Sequence, residues 1–358
     1  MNDDISLKLT AYFAERERSG SRFLAEAMFD LFAQRRVATS VMLRGISGFG
    51  HGRVIRTDES LTLSDDPSVA IIAGDSPERI GDLAPEVITM TTGGLITLER
   101  ARLLSERTFV KLPDGEDSVK LTVYVGRNRR IDGVPAYKAV CDLLRNNGFD
   151  GAWAFLGVDG TAHGERHRAY FIARNADVPV MIIAVGRAGQ AQRCVAELSA
   201  VLDRPLLTVE RVGLCKHHGR LLERPAALPS TDSQGRPLWQ KLMVFTSESD
   251  RREGVPIHRA VVRKLWESRA ASGVTVLRGV WGFEGDREPH GDKFFQFGRQ
   301  VPVMTVVVDT PERIAASFGI IDELTEQRGL VTSEMVPARI GIDAGQPDGD
   351  ISLADYHY

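Results

Sequence analysis

The sequence predicts an α+β protein built of three tandem copies of one βαββαβ unit. Three segments open alike, each with Lys-Leu and an aromatic residue three positions after the leucine, and they start at residues 8, 120 and 241. The spacing is that of a whole domain rather than of a short solenoid repeat. At 358 residues the chain is also too long for a single hydrophobic core.

The first strand and first helix of each copy are predicted from two different periodicities. The strands occupy 8–12, 120–124 and 241–245, and a basic loop and a glycine follow each one. Apolar residues then recur at i, i+3, i+4 and i+7, which is typical of a helix packed on one face. These positions are Leu24, Ala27, Met28 and Leu31, then Tyr137, Val140, Cys141 and Leu144, then His258, Val261, Val262 and Leu265.

The second half of each copy contains two further strands around a second helix. A second strand is predicted to end in a glycine-rich turn, Leu-Arg-Gly-x-x-Gly-Phe at 43–49 and 277–283, with a weaker form at 156–160. The third strands are apolar almost throughout, at 69–73, 180–185 and 303–308. Second helices enter at 76–80, near 187–190 and at 310–314, and last strands close the copies at 95–98, 206–209 and 330–332.

The order βαββαβ predicts a four-stranded ferredoxin-like sheet with both helices on one face. Leu9, Ala11 and Phe13 alternate with Lys8, Thr10 and Tyr12, so the helices can cover only one of these sets. Third strands that are apolar at successive positions are typical of burial on both faces. We therefore expect the three sheets to bury their second faces against one another, as an intramolecular pseudo-trimer with aromatic residues Tyr12, Tyr124 and Phe245 turned inward. Three separate modules would expose large apolar patches.

The predicted domain boundaries follow the repeats. We expect copy one at 1–104, copy two (diverged) at 118–215, copy three at 238–343, linkers at 105–117 and 216–237, and a tail at 344–358.

Composition narrows the class of protein. A formal net charge of −3 disfavours a general nucleic-acid or membrane-surface binder. The three cysteines have no short spacing, which argues against a disulfide framework or a thiolate metal site and fits a reducing compartment. No apolar run approaches the roughly 20 residues that span a bilayer, and the acidic N-terminus resembles no signal peptide. We expect a cytoplasmic protein that neither inserts into a membrane nor binds nucleic acid.

The long segment between the second and third strands is the predicted ligand site. Each copy carries a His-Gly dipeptide there with a basic residue after it, and glycine and arginine together suit a phosphate or carboxylate ligand. A solvated loop is the alternative interpretation, and Arg44 and Arg278 could instead pair with neighbouring acids. No catalytic residue and no metal site is predicted. The predicted ligand-binding residues are Arg44, Gly45, Gly48, His51, Arg53, His163, Arg166, Arg278, Gly279, Gly282, His290 and Lys293.

The openings, the two Leu-Arg-Gly-x-x-Gly-Phe segments and the Pro-Glu-Arg-Ile helix entries at 77–80 and 311–314 resemble the domain of unknown function 190 family. The resemblance covers nearly the whole chain outside the linkers and is weakest in copy two. That family is regarded as PII-like, meaning ferredoxin-like subunits assembled as trimers. The resemblance implies clefts between copies that bind a nucleotide of the ATP, ADP or AMP type or a small anion. It also implies a membrane transporter as partner, since family members are often encoded beside fluoride exporters.

The sequence thus predicts a non-enzymatic PII-like regulatory protein with a small-molecule ligand. A structural or protein-interaction module that has lost its ligand is the alternative, as the divergence of copy two suggests. An enzyme that uses the loop histidines His51, His163 and His290 as acid–base groups is less favoured, because no convincing nucleophile–base pair is present.

Overall fold

The computed structural model describes residues 6–50, 52–57, 66–104, 117–168, 178–285, 289–291 and 301–356. Over these residues the chain is a mixed α/β protein with six helices and a large antiparallel sheet system. Each predicted copy forms one module with two of the helices, and the modules are called one, two and three in chain order.

Module one contains seven strands and two helices. Its elements are β1 (Ser6–Ala14), β2 (Arg18–Ser19), β3 (Arg22–Phe23), α1 (Leu24–Gln34), β4 (Thr39–Phe49), β5 (Arg56–Thr57), β6 (Ser68–Asp75), α2 (Pro77–Met90) and β7 (Gly94–Leu104).

Module two repeats this order and adds a hairpin after its second long strand. Its elements are β8 (Ser118–Gly126), β9 (Arg130–Ile131), β10 (Val134–Pro135), α3 (Ala136–Asn146), β11 (Gly151–Leu156), β12 (Asp159–Ala162), β13 (Glu165–Arg168), β14 (Pro179–Arg187), α4 (Ala188–Val201), β15 (Leu206–Arg211), β16 (Gly213–His217) and β17 (Arg220–Leu221).

Module three repeats the order once more and ends in a further hairpin. Its elements are β18 (Trp239–Ser247), β19 (Arg251–Arg252), β20 (Val255–Pro256), α5 (Ile257–Ser268), β21 (Val274–Arg278), β22 (Trp281–Glu284), β23 (His290–Gly291), β24 (Pro302–Asp309), α6 (Pro311–Leu324), β25 (Leu330–Val336), β26 (Ala338–Asp343) and β27 (Gln346–Asp350).

The four long strands of each module pair in one antiparallel order. In module one, β1 lies between β6 and β7, and β4 pairs with the other edge of β6. Modules two and three repeat this as β11–β14–β8–β15 and β21–β24–β18–β25. The first strand is therefore central, with the last strand on one side and the third on the other.

One face of each sheet is covered by its own two helices, as the alternation of the first strand predicts. Leu9, Ala11 and Phe13 are buried against α1 and α2. The other modules form corresponding clusters, with Leu121 and Val123 in module two and Leu242 and Val244 in module three. Burying aliphatic side chains in this way is the main favourable term in folding.

The other faces of the three sheets meet in a central cluster. Tyr124 and Phe245 are buried in it, Tyr12 packs against it, and Phe245 stacks on Trp153 with ring centroids 3.9 Å apart. The third strands β6, β14 and β24 are buried along nearly their whole length because they carry an apolar layer on both sides.

Backbone pairing also joins each module to both others. Around the second strands, β12 pairs with β4, β22 with β11, and β4 with β21. Around the last strands, β7 pairs with β15, β16 with β25, and β26 with β7. Each set of three joins modules one and two, two and three, and three and one. Each seam between modules therefore carries two stretches of antiparallel sheet.

The stretches between and after the modules are partly structured. In 216–237, Lys216 is buried and its Nζ lies 2.6 Å from Asp322 Oδ1, although the composition indicated a linker. After β26, the strand β27 pairs back onto it, and Ala354 is fully buried.

Candidate functional site

Six buried ionic side chains form a closed ring at the centre of the molecule, the central ring: Lys8, Lys120, Lys241, Glu99, Glu210 and Glu334. Each lysine stands opposite a glutamate of its own module in the strand register. Each lysine also contacts a glutamate of another module. Lys8 contacts Glu210 of module two, Lys120 contacts Glu334 of module three, and Lys241 contacts Glu99 of module one.

The distances in the central ring are short. Within modules, Lys8 Nζ lies 2.9 Å from Glu99, Lys120 Nζ 2.7 Å from Glu210 and Lys241 Nζ 3.1 Å from Glu334. Between modules, Lys120 Nζ is 2.6 Å from Glu334 and Lys241 Nζ 2.5 Å from Glu99, and Lys8 bonds to Glu210. Every charge in the ring therefore has two opposite partners.

Burial and these contacts act in opposite directions on the pKa values in the ring. Burial would lower the pKa of Lys8, but Glu210, Glu99 and Glu334 raise it well above its ordinary value. Burial would likewise raise the pKa of Glu99, but Lys241, Lys8 and Lys120 hold it well below its ordinary value. Lys120 differs, because burial outweighs its glutamates and lowers its pKa.

A cleft of about 250 Å³ lies between modules one and three, the one–three cleft. Its wall from module one is the end of β4 and the segment after it (48–50, 52–54 and 56), with the end of β1 (12–14) and the residues around the start of β7 (93–95). Its wall from module three is the turn at 272–275, together with Val306, Val308 and the end of β26. A cleft at a seam between modules was expected from the sequence.

Charged groups of both signs line the one–three cleft. Arg53, Arg56 and Arg339 stand against Glu17 and Asp343. Arg339 is buried and lies 4.6 Å over the Trp239 ring, and Glu17 accepts a bond from Thr92. The half-buried Arg56 guanidinium forms no hydrogen bond or ion pair with any residue in the described ranges, so it is the cation best placed to meet a ligand.

Arg53 is held at the mouth of this cleft by module three. Its guanidinium lies 5.6 Å from the Trp266 ring and 5.8 Å from the Phe49 ring. Trp266 Nε1 donates to the Arg53 carbonyl at 2.7 Å, and the Arg53 guanidinium donates back to the Trp266 carbonyl. The module one loop is thereby attached to α5.

A second cleft, of about 330 Å³, is formed by module two near its seam with module one. His163, Glu165 and His167 of the β12–β13 hairpin face Arg129 and Arg204 across it. Arg166, predicted as a ligand residue, is not among its lining residues: it pairs with Asp159 at 2.6 Å and with Asp30.

The two predicted glycine turns lie at the seams: the one in module one is part of a strand, whereas in module three Gly279 lies between β21 and β22. Gly45 and Gly48 lie within β4, where it leaves its own sheet and pairs with β21. A Cβ at Gly48 would lie 2.3 Å from the Val274 carbonyl oxygen, and one at Gly282 would lie 2.6 Å from that of Ala152. Gly279 similarly faces the Ala154 carbonyl. These glycines permit close approach of strands from two modules, and only Gly48 also lines the one–three cleft.

Arg44 and Arg278 each pair with an acid, which was the alternative interpretation of them. Arg44 Nε donates to Glu15 at 2.9 Å, and Arg278 Nη2 donates to Glu248 at 2.6 Å. Neither lines the one–three cleft. Ligand binding by these arginines stays a prediction.

Three predicted residues cannot be placed in a site. His51 and Lys293 lie outside the described residues, and of His290 only the backbone, in the short strand β23, is described.

The central ring and the module three wall of the cleft were not predicted from the sequence. A signal for the ring is present, since Thr-x-Glu recurs on the last strand of every copy, at 97–99, 208–210 and 332–334. The wall formed by 272–275 and Arg339 has no such repeated pattern.

The described ranges lack two classes of feature. None of the helices there combines the length and apolar character that crossing a membrane requires. No cluster of three or more His, Cys, Asp or Glu side chains in the same ranges is arranged to hold a metal ion.

Comparison with known proteins gives one family and several distant structures. A UPF0166 protein of Aquifex aeolicus (strain VF5) is 31% identical over 96 residues, which are 26% of this chain and 88% of that protein. A solved protein of unknown function from Galdieria sulphuraria (11% identity, 62% of this chain, 97% of that chain) has a TM-score of 0.19. A putative monooxygenase from Fusobacterium nucleatum (8% identity, 59% of this chain, 96% of that chain) has a TM-score of 0.20. Structural likeness at this level carries no conclusion about activity.

The sequence model of the family described as "DUF190: Uncharacterized ACR, COG1993" matches three times, at residues 6–103, 118–214 and 239–338. The chain belongs to the DUF190 family and carries three tandem copies of its domain.

Proposed function

We propose that this protein is a non-enzymatic, PII-like regulatory protein that binds a nucleotide or a small anion in clefts between its modules. The observation that carries the proposal is the one–three cleft, where a glycine-rich loop of one module faces another module beside an arginine without a partner in the described ranges.

The fold part of the proposal is an intramolecular pseudo-trimer of ferredoxin-like modules. The strand order, with the first strand central and both helices on one face, supports the ferredoxin-like interpretation. The central cluster, to which all three modules contribute, and the six pairings between modules support the pseudo-trimer.

The chemistry of the one–three cleft suits a ligand with an apolar body and an anionic group. Phe49, Leu95, Val274 and Val306 supply apolar surface, and Gly50 and Gly52 have open space beside their backbone. Arg56 would donate charge-assisted hydrogen bonds to a phosphate or carboxylate. A volume of about 250 Å³ is near the lower end for small-molecule sites, which favours a mononucleotide or smaller ligand.

Calorimetric titration and thermal shift with AMP, ADP, ATP, phosphate and fluoride test the proposal. A ligand that binds only the folded state raises its stability by mass action. We expect at least one of these to raise the Tm of the wild type and to bind about tenfold or more weaker to Arg56→Gln, since a charged hydrogen bond contributes roughly 1.5–3 kcal/mol.

Arg193→Gln is the matched control, because Arg193 is exposed on α4 of module two, away from the cleft lining. It removes the same charge and should bind like the wild type. Equal binding by wild type and Arg56→Gln, or no binding of any compound, would count against a ligand at this cleft and leave the interaction-module alternative.

A membrane transporter is the proposed partner, and the support for it is the family resemblance alone. The test is co-purification of the tagged full chain with a co-expressed fluoride exporter, in the presence and absence of the ligand identified above. Recovery that depends on the ligand would support regulation, and failure to co-purify in both conditions would remove this partner.

A further inference from the structure

A small cavity of about 40 Å³ lies beside the central ring, where the three sheets meet. The lysines Lys8, Lys120 and Lys241 line it, one from each module, with the hydroxyl-bearing residues Thr10, Thr122, Tyr12 and Tyr124. Aliphatic and methionine side chains complete its wall. We propose that this cavity is a binding site for a single halide-sized monovalent anion.

The sign of the charge at the cavity is the first argument. None of the described residues that line it is acidic, although the three glutamates of the central ring contact the same three lysines. The ring as a whole is neutral, but its ammonium groups border the cavity and its carboxylates do not. An anion there faces the positive side of a buried charge layer, in surroundings where electrostatic attraction is weakly screened.

The number of donors that the lysines offer is the second argument. A lysine ammonium has three N–H groups, and each lysine of the ring bonds to two glutamates. Besides its two glutamates, Lys120 Nζ donates a long hydrogen bond of 3.9 Å to the Met243 sulfur, which is a weak acceptor. Hydroxyl groups of the threonines and tyrosines add neutral donors, and together these groups can replace the hydration shell of a small anion.

Size is the third argument. A cavity needs roughly 10–15 Å³ to hold one water, so a cavity of about 40 Å³ can hold one small ion or a few waters. Phosphate esters and nucleotides are too large. The site is therefore separate in chemistry from the one–three cleft, and its existence does not depend on the function proposed there.

A path to the cavity is visible in the residues that the two spaces share. Tyr12 and Val306 line both the central cavity and the one–three cleft. An ion would enter from the cleft past these two side chains.

Crystals of the full chain grown with sodium bromide test the site directly. We expect an anomalous difference peak for bromide in the cavity, within hydrogen-bonding distance of the lysine Nζ atoms. Bromide density elsewhere only, with water or nothing in the cavity, would overturn the proposal.

A variant pair tests the same site in solution. Ala70 lines the cavity and Ala73 lies on the helix-covered face of the same strand, β6. Ala70→Val fills the cavity, so we expect it to abolish the rise in Tm that bromide causes in the wild type. Ala73→Val should keep that rise, even if its Tm without bromide is lower. General salt effects act on all three proteins alike, so an equal bromide response in wild type and Ala70→Val would contradict binding at this place.

Discussion

Each lysine of the central ring is shared between glutamates of two modules, so a single side chain acts on a seam as well as on its own sheet. Burying six charges costs a large desolvation free energy, and paired charges recover it only with good geometry. The closed arrangement, in which every charge has two opposite neighbours, provides that geometry. Removing one lysine leaves two buried carboxylates, each with one ammonium partner instead of two.

Lys120→Met tests this at the residue scale. Lys120 is 1% exposed and contacts Glu210 and Glu334, so we expect the free energy of unfolding to fall by about 3–5 kcal/mol. The measurement is denaturant unfolding followed by circular dichroism. Lys264→Met, at an exposed position on α5, should change it by less than about 0.5 kcal/mol. Equal stability of both variants would show that the ring contributes little.

His258 provides a second test, through pH. Burial, followed by the nearby charges of Arg259, Arg278 and Arg251, lowers the pKa of His258 to about 4 from its ordinary 6.5. The folded state therefore binds this proton less readily than the unfolded state, so stability present at neutral pH is lost as the pH falls from 6.5 to about 4.

His258→Phe should lose less stability over that range than the wild type, by up to about 3 kcal/mol. Thermal unfolding measured at intervals between pH 4 and pH 6.5 gives the slope of stability against pH for each protein. His167→Phe, at a half-buried position on the β12–β13 hairpin of module two, is the control and should follow the wild type. A His258→Phe slope parallel to that of the wild type would contradict a neutral buried imidazole.

At the scale of elements, β4 is the informative strand, because its two halves belong to different pairings. Thr39–Met42 pair with β12 of module two, whereas Gly45–Phe49 pair with β21 of module three. The strand can cross between neighbours only where its backbone approaches theirs without a side chain between them. Gly45 and Gly48 supply those positions.

Gly48→Ala should therefore destabilise the protein by about 1–3 kcal/mol, since the added methyl would meet a backbone oxygen that cannot move independently. The control substitution is expected to change stability in the opposite direction. Gly81 lies in α2 with open space around its missing Cβ, so Gly81→Ala should stabilise by about 0.5–1 kcal/mol. Differential scanning calorimetry of both variants distinguishes a seam effect from a general intolerance of alanine.

The same elements show what the sequence could reveal. The repeat and the period-two alternation of Lys8, Thr10 and Tyr12 correctly indicated that the first strands have two buried faces, because that information is carried by side chains. Pairing between modules is made by backbone hydrogen bonds, which leave no residue signature, so Gly45 and Gly48 looked like a turn. The one–three cleft combines residues 48–50, 52–54 and 56 with 272–275 and Arg339, and no local pattern joins segments so far apart.

At the scale of the whole molecule, shared sheets and a shared core predict that the modules unfold together. Phe245 of module three is fully buried and stacks on Trp153 of module two. Each module also pairs through backbone with both others. A module that unfolded alone would expose its neighbours' central faces and unpaired strand edges, so partial unfolding costs nearly as much as complete unfolding.

Phe245→Ala tests this coupling. Truncating a buried phenylalanine costs about 3–5 kcal/mol, and we expect calorimetry to show one transition, as for the wild type, shifted as a whole to lower temperature. Phe23→Ala, at a side chain 43% exposed, should leave the transition nearly unchanged. If Phe245→Ala instead split the transition, with a part melting early and the remainder at the wild-type temperature, module three would be an independent unit. The central cluster would then be a contact between separately stable domains, since a core common to all three modules cannot lose one of them without the others.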